Sequence, residues 1–160
     1  MRFAKLTLTT RRFPGLVATG VAVLALSACS SSSLPTLTGF AAVRDQAART
    51  ESAASDRATQ LAEVATDCAS CSAALRAVAS ASHERLEALG GLWDPWGGTP
   101  PEGASAPAAV SEAPTDVSAF VAWLARTATR DLEIAADTNR TSADEARTLS
   151  AAALGRYASA

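Results

Sequence analysis

The stretch that decides the fold runs from Leu37 to Leu89 and reads LTGFAAVRDQAARTESAASDRATQLAEVATDCASCSAALRAVASASHERLEAL. Apolar or small residues recur along it at intervals of three and four, which is typical of amphipathic helices. They are Phe40, Val43, Ala47, Ala54, Leu61, Val64, Cys68, Cys71, Leu75, Val78, Leu86 and Leu89. Most charged residues, among them Glu51, fall between these positions, so the stretch is helical with one buried face. Several carboxylates stand beside arginines on these helix faces, and we interpret them as solvated pairs: Asp45/Arg49, Asp56/Arg57 and Glu84/Arg85.

This stretch forms either one long helix or two. No glycine or proline interrupts it after Gly39, and the apolar register continues through the cysteines, which favours a single helix. Thr66 and Asp67 can instead cap a second helix that starts at Cys68. We favour two antiparallel helices, because a single helix of that length would need an equally long partner.

A loop follows the helical stretch. Gly90 and Gly91 end the helix, and residues 90–115 hold five of the seven prolines and five of the nine glycines. A loop of 26 residues is long for a compact domain. It is either a mobile linker or an ordered feature with a purpose.

Two more helices complete the chain. Asp116 caps a helix with an apolar face, and we place Arg126, Arg130, Asp131 and Asp137 largely off that face; the face comprises Val117, Phe120, Val121, Leu124, Ala128, Leu132 and Ala135. Residues 138–139 break this helix. Residues 142–145 match a capping box for a last helix that ends near residue 157. The sequence thus predicts an all-α, up-down bundle of four helices.

Composition supports this fold class and limits the partners. Alanine, the best helix former, supplies 39 of the 160 residues, so the packed helices should approach closely around a thin core. All 16 acidic residues lie beyond position 44, and without residues 1–28 the charge is near −6. Such a chain lacks the basic footprint of a nucleic-acid-binding protein.

The N-terminal segment has the organisation of a secretory leader. A basic region over residues 1–12 precedes the apolar run LVATGVAVLAL at 16–26, which ends in Leu26-Ser27-Ala28-Cys29. This ending resembles the lipobox of bacterial lipoproteins. The resemblance implies that Cys29 carries acyl chains such as palmitate and that residues 1–28 are removed. It divides the chain into a signal peptide (1–28), a lipidated cysteine with its tether (29–36) and a bundle domain (37–160).

The end of the long helical stretch, SHERLEALGG at 82–91, resembles the helix end of small ferritin-like lipoproteins of high-GC Gram-positive bacteria. That resemblance implies a helical bundle. A di-iron site would need Glu-x-x-His motifs, but His83 is the only histidine and Ser80 stands three residues before it. We therefore expect no metal or other cofactor, and we interpret His83 as a solvated helix-end residue or, alternatively, a binding residue.

Cys68 and Cys71 form a CxxC motif. With Cys29 lipidated they are the remaining thiols, and outside the membrane they can form a disulfide with each other. At a helix start the amide dipoles lower a thiol's pKa, as redox enzymes require. We favour a structural disulfide, because redox motifs of this kind usually follow a strand, and we keep thiol-disulfide chemistry as the alternative.

Trp93 and Trp96 lie in the long loop. Exposed tryptophans often anchor a partner and also suit a bilayer interface. We favour the simpler interpretation that both cover the end of the bundle, with ligand or peptide binding as the alternative.

Taken together, the sequence predicts a protein held outside the cell membrane by a lipid at Cys29. We expect a non-catalytic binding or structural component of the cell envelope, with no catalytic residue. The membrane is its one named partner, and an envelope protein partner is possible but unknown. The alternatives are a thiol-disulfide protein and a small-molecule or peptide binder.

Overall fold

The computed structural model describes residues 36–99 and 110–160 of the chain, which form four α-helices. They are α1 (Gly39–Val64), α2 (Ala69–Ala88), α3 (Val117–Ala136) and α4 (Ala143–Ala158). The all-α class and the alanine-rich bundle are thereby confirmed. The predictions about the signal peptide, Cys29 and most of the tether lie outside the described residues.

The four helices are arranged as two helical hairpins. Helix α1 packs extensively against α2, and α3 packs extensively against α4. The hairpins meet through smaller contacts of α1 with α3 and α4, and of α2 with α4. The preferred interpretation of residues 37–89 as two helices is therefore correct, since the break at residues 65–68 allows α2 to fold back on α1.

Side chains cap the starts of three helices. Asp116 accepts a hydrogen bond from the Ala119 amide at 2.9 Å, and Ser142 and Glu145 form the predicted capping box. The cap of α2 differs from the expectation: it is Cys68 itself, whose Sγ accepts from the Cys71 amide. A residue must directly precede the first turn to reach these amides, and Thr66 and Asp67 lie too far upstream.

Two glycines end α2 as predicted. Gly90 and Gly91 have φ angles of +90° and +75°, in the left-handed region that glycine adopts without a steric penalty. The Gly91 amide donates to the Leu86 carbonyl at 3.0 Å, which satisfies a carbonyl at the helix end. The chain thereby leaves the bundle and starts the long loop.

The core is built mainly from alanine, as the composition predicts. Among the described residues, eleven of the eighteen buried apolar side chains are alanines. Sixteen of the eighteen form two clusters along the bundle. One contains Ala54, Ala58, Leu61, Ala62, Leu75, Ala79, Ala113, Phe120, Trp123 and Leu124. The other contains Ala47, Ala48, Leu89, Ala135, Leu149 and Ala152.

Some residues assigned to the buried faces are exposed. Val64 is the last residue of α1 and Val117 the first of α3, and both side chains are exposed, as is Val121. A helix end projects past its neighbours, so the periodicity overestimates burial there.

None of the helices in the described part of the chain has an apolar stretch sufficient to span a bilayer.

Candidate functional site

A layer of charged side chains lies between the two apolar clusters. Glu51 of α1, Asp131 of α3 and Arg156 of α4 are buried, and Arg85 of α2 joins them with its side chain 14% exposed. Each helix therefore contributes one charged residue, and the acids and bases balance.

The ion pairs connect all four helices. Both Glu51 oxygens are used: Oε1 accepts from Arg156 Nε at 2.9 Å, and Oε2 accepts from Arg85 Nε at 3.0 Å. Arg156 Nη1 donates to Asp131 Oδ2 at 2.9 Å, and Arg85 Nη2 donates to Ser82 Oγ at 2.9 Å. Each hairpin contains one ion pair of its own, and Glu51–Arg156 joins the hairpins.

One nitrogen of this layer is poorly satisfied. Arg156 Nη2 lies 2.9 Å from Glu51 Oε1, close enough for charge attraction. Its orientation gives no hydrogen bond, and it has no other partner among the described residues. Because the groups in the layer neutralise one another away from solvent, we assign the layer to structure rather than to substrate chemistry.

This layer was not predicted from the sequence, since Glu51 is buried and does not belong with the charged residues between the apolar positions. Asp131 was wrongly placed off the buried face of α3, and Arg85 pairs with Glu51 rather than with a solvated neighbour such as Glu84. A signal was present, because Glu51 lies four residues after Ala47 and three before Ala54. A charged residue in the apolar register indicates a buried ion pair, but the spacing does not identify its partner.

Gly155 makes room for this layer. A Cβ atom at position 155 would lie 3.0 Å from Cδ and 3.4 Å from Nη1 of Arg85. Arg85 therefore crosses the α4 backbone at a place where any larger residue would press on it. The glycine interrupts the helix-favouring composition of α4 at the point where the Arg85 side chain passes.

Cys68 and Cys71 form a disulfide at the start of α2. Their Cα atoms are 5.2 Å apart, and the Cys71 amide donates to Cys68 Sγ at 3.2 Å. Cys71 is exposed and Cys68 partly exposed. The pairing is as predicted, and a reagent in solution can reach it.

Two arginines of α1 fix the two ends of the long loop. Arg49 donates from Nη2 to the Trp93 carbonyl at 3.3 Å and from Nε to Asp45 at 2.7 Å. Asp45 in turn accepts from the Trp93 amide at 2.9 Å. Arg57 donates from Nε to the Ala113 carbonyl at 2.9 Å.

These contacts correct two expectations about surface charges. The Asp45–Arg49 pair was expected to be solvated, but its side chains are only 14% and 17% exposed because the loop covers them. Arg57 does not pair with Asp56. Its Nη2 lies 3.4 Å from Oε1 of Glu112, near the C-terminal end of the loop.

The fixed loop ends create a groove on α1. Its volume is about 450 Å³. Its lining includes Ser52, Ala53 and Asp56 from α1 and Leu92, Val110 and Ala113 from the loop ends, with Arg49 and Arg57 also in contact. We call it the loop groove. Apolar walls with a few charged groups are the usual composition of a small-molecule site.

The remaining candidate residues lie apart from one another. Trp93 and Trp96 are both half-buried, whereas Trp123 is part of the core. The His83 side chain is 62% exposed, and its Nε2 lies 3.5 Å from Glu87 one turn further along α2. The described residues contain no cluster of three or more His, Cys, Asp or Glu that could hold a metal ion.

Fold and site together define an alanine-rich four-helix bundle with a central ionic layer, a disulfide at one end and a groove between α1 and the two ends of the long loop. Comparison of the chain with family models, curated protein sequences and solved structures found no match.

Proposed function

We propose that the mature chain is a lipid-anchored, extracytoplasmic protein that serves the cell envelope as a non-catalytic binding component. Support for the anchor comes from the sequence, in which Leu26-Ser27-Ala28-Cys29 ends the apolar part of a basic leader. The net charge near −6 of the chain after residue 28 supports a hydrocarbon anchor, because charge would not hold it on an anionic surface.

One observation supports the binding role. Arg49 and Arg57 hold both ends of the loop on α1, so the walls of the loop groove are fixed before any ligand arrives. A preformed site loses less conformational freedom on binding, and this favours affinity. The lining suits an amphiphilic small molecule, with its apolar part against Leu92 and Val110 and its polar part toward the charged side chains of the groove.

The anchor is tested in the native host. The wild-type protein should fractionate with membranes, and its first peptide should begin at residue 29 with the added mass of acyl chains. Cys29→Ala should abolish both results. An unmodified thiol at position 29, or a leader still attached to the wild-type protein, would disprove the anchor.

The groove is tested on the purified protein with the fluorescent probe anilinonaphthalene sulfonate, which combines an apolar body with an anionic group. Ala53→Trp fills the groove, whereas Ala77→Trp adds the same bulk on the exposed face of α2. We expect saturable binding by the wild type and by the Ala77 variant, with loss in the Ala53 variant. Equal binding by all three proteins would contradict a site in the groove.

A second candidate function is thiol-disulfide exchange at Cys68 and Cys71. The observation that favours it is that the disulfide is accessible and caps a helix, where the Cys71 amide would stabilise a Cys68 thiolate. The reduction potential distinguishes a structural disulfide from one that takes part in exchange. A value well below about −300 mV indicates a structural disulfide, and a higher value supports exchange.

A further inference from the structure

The position of the anchor limits which part of the bundle can meet the membrane. Helix α1 begins at Gly39, so residues 30–38 connect it to Cys29. Nine residues span at most about 32 Å even when fully extended. The end of the bundle where α1 begins is therefore the part held nearest to the anchoring lipid.

The fold brings the start of the long loop to this same end. Leu37 and Ala41 line one small cavity together with Gly90, Gly91 and Leu92. The Trp93 amide is bonded to Asp45, which lies less than two turns into α1. We call the surface formed by residues 37–45 and 90–96 the tether end.

The tether end carries the side chains that favour a bilayer interface. Leu92 is 47% exposed, and Trp93 and Trp96 both keep part of their surface open to solvent. Tryptophan concentrates at membrane interfaces because its ring is apolar and its N–H is polar. Arg44 is exposed beside them, and its long side chain can reach lipid phosphates.

Charge does not drive this contact. Asp94 is exposed at the same end, and its negative charge offsets the positive charge of Arg44. The chain after residue 28 is also acidic overall. A zwitterionic lipid surface therefore fits the tether end better than a strongly anionic surface does, because the contact depends on apolar area and on the interfacial preference of indole rings.

We propose that the tether end, through Leu92, Trp93 and Trp96, rests in the headgroup region of the bilayer to which the protein is anchored. This inference rests on the proposed lipid anchor at Cys29. It orients the molecule: α1 has 26 residues and is about 39 Å long, so the Cys68–Cys71 disulfide lies at the end away from the membrane. A soluble partner can then approach the disulfide without meeting lipid.

The test uses the full lipidated protein, reconstituted in phosphatidylcholine vesicles with or without lipids brominated near the headgroup end of the acyl chains. Bromine quenches tryptophan emission only at short range. We expect brominated lipid to quench the wild-type emission. The double variant Trp93→Phe with Trp96→Phe should lose that quenching, because Trp123 lies in the core. Trp123→Phe serves as the matched control and should retain it.

Flotation of the same vesicles separates the two proposals. Protein that floats with the vesicles without quenching would overturn the membrane contact and leave the anchor intact. Quenching that persists in the double variant would also overturn the contact, because the signal would then come from Trp123. Protein that carries no acyl chains and fails to float would refute the anchor itself.

Discussion

Arg156 and Glu51, separated by 105 residues in the chain, form a hydrogen-bonded ion pair at 2.9 Å in which both side chains are fully buried. This contact joins the α3–α4 hairpin to the α1–α2 hairpin at the level where the two apolar clusters meet. Burial of charge is costly unless each charge has partners, so removal of one partner and removal of all of them should have opposite consequences.

Removal of the shared carboxylate should strongly destabilise the bundle. Glu51→Ala leaves Arg85 and Arg156 without their common acceptor, and we expect a loss of about 3–5 kcal/mol in the free energy of unfolding. Chemical denaturation measures this loss. Arg147→Ala is the control, since it removes an ion pair whose side chains are 75% and 89% exposed, and it should change stability by less than about 1 kcal/mol. Similar losses in both variants would contradict a structural role for the layer.

Removal of all four charges at once should be tolerated. A quadruple variant replaces the layer by apolar side chains and leaves no buried charge. Its substitutions are Glu51→Leu, Arg85→Leu, Asp131→Leu and Arg156→Met. We expect a stability equal to the wild type or higher, because no desolvated ion remains. Denaturation of this variant beside Glu51→Ala checks the prediction. A loss as large as that of the single variant would mean that the ion pairs are stabilising on balance.

The effect of alanine at position 155 should depend on Arg85. In the wild-type background, Gly155→Ala gains helix propensity but presses its Cβ against Arg85 Cδ, so we expect no gain or a loss of stability. With Arg85 already changed to Ala, the same substitution should stabilise by about 1 kcal/mol. A double-mutant cycle measures the difference. Equal effects in both backgrounds would show that Arg85 adjusts freely.

Two cysteine variants separate the disulfide from the helix cap. Cys68→Ser with Cys71→Ala removes the disulfide but keeps a capping oxygen. Cys68→Ala with Cys71→Ala removes the disulfide and the cap. Closure of so short a loop contributes about 2 kcal/mol, and the cap about 1 kcal/mol. We therefore expect the Ser variant to unfold at lower denaturant than the wild type and the Ala variant lower still. Identical curves for the two variants would show that the cap contributes nothing.

Asp116 should make the start of α3 sensitive to acid. The Ser118 hydroxyl at 2.6 Å, followed by the Ala119 amide at 2.9 Å, lowers the pKa of this carboxyl below its ordinary value. A carboxyl with a lowered folded-state pKa stabilises the fold above its unfolded-state pKa of about 3.9. That contribution is lost as pH falls through the lower folded-state value.

Asp116→Asn isolates this effect, because asparagine caps a helix equally well and does not titrate. Between pH 5 and pH 2, the stability of the wild type should decrease relative to that of the variant. Titration of the side-chain carboxyl followed by NMR gives the pKa directly. A midpoint at or above the ordinary aspartate value would refute the prediction.

Most of the fold could be predicted because its signals are local. The caps at Asp116 and Ser142 depend on hydrogen bonds within one turn, and the end of α2 depends on the left-handed angles of Gly90 and Gly91. The disulfide is local too, because its cysteines are three residues apart. The cap of α2 was misplaced by one or two residues. Residue type indicated Thr66 and Asp67, whereas the hydrogen bond from the Cys71 amide shows that Cys68 is the cap.

The sites were harder to predict, because their partners are distant in the chain. Arg57 was assigned to its neighbour Asp56, whereas it holds the Ala113 carbonyl 56 residues away. The loop groove lies where Arg49 and Arg57 bond the loop ends to α1, and neither contact has a signature in local sequence.

By itself the sequence determined the helices, their alanine-rich faces, the long loop and the short-range cysteine pair, because propensity, periodicity and capping act over a few residues. It also carries the prediction of a lipidated Cys29, which depends on a linear motif. The tertiary structure alone decided which charges are buried and which carbonyls the arginines hold. The physical reason is that a charge can be buried only where the fold delivers compensating groups, and here those groups come from four different helices.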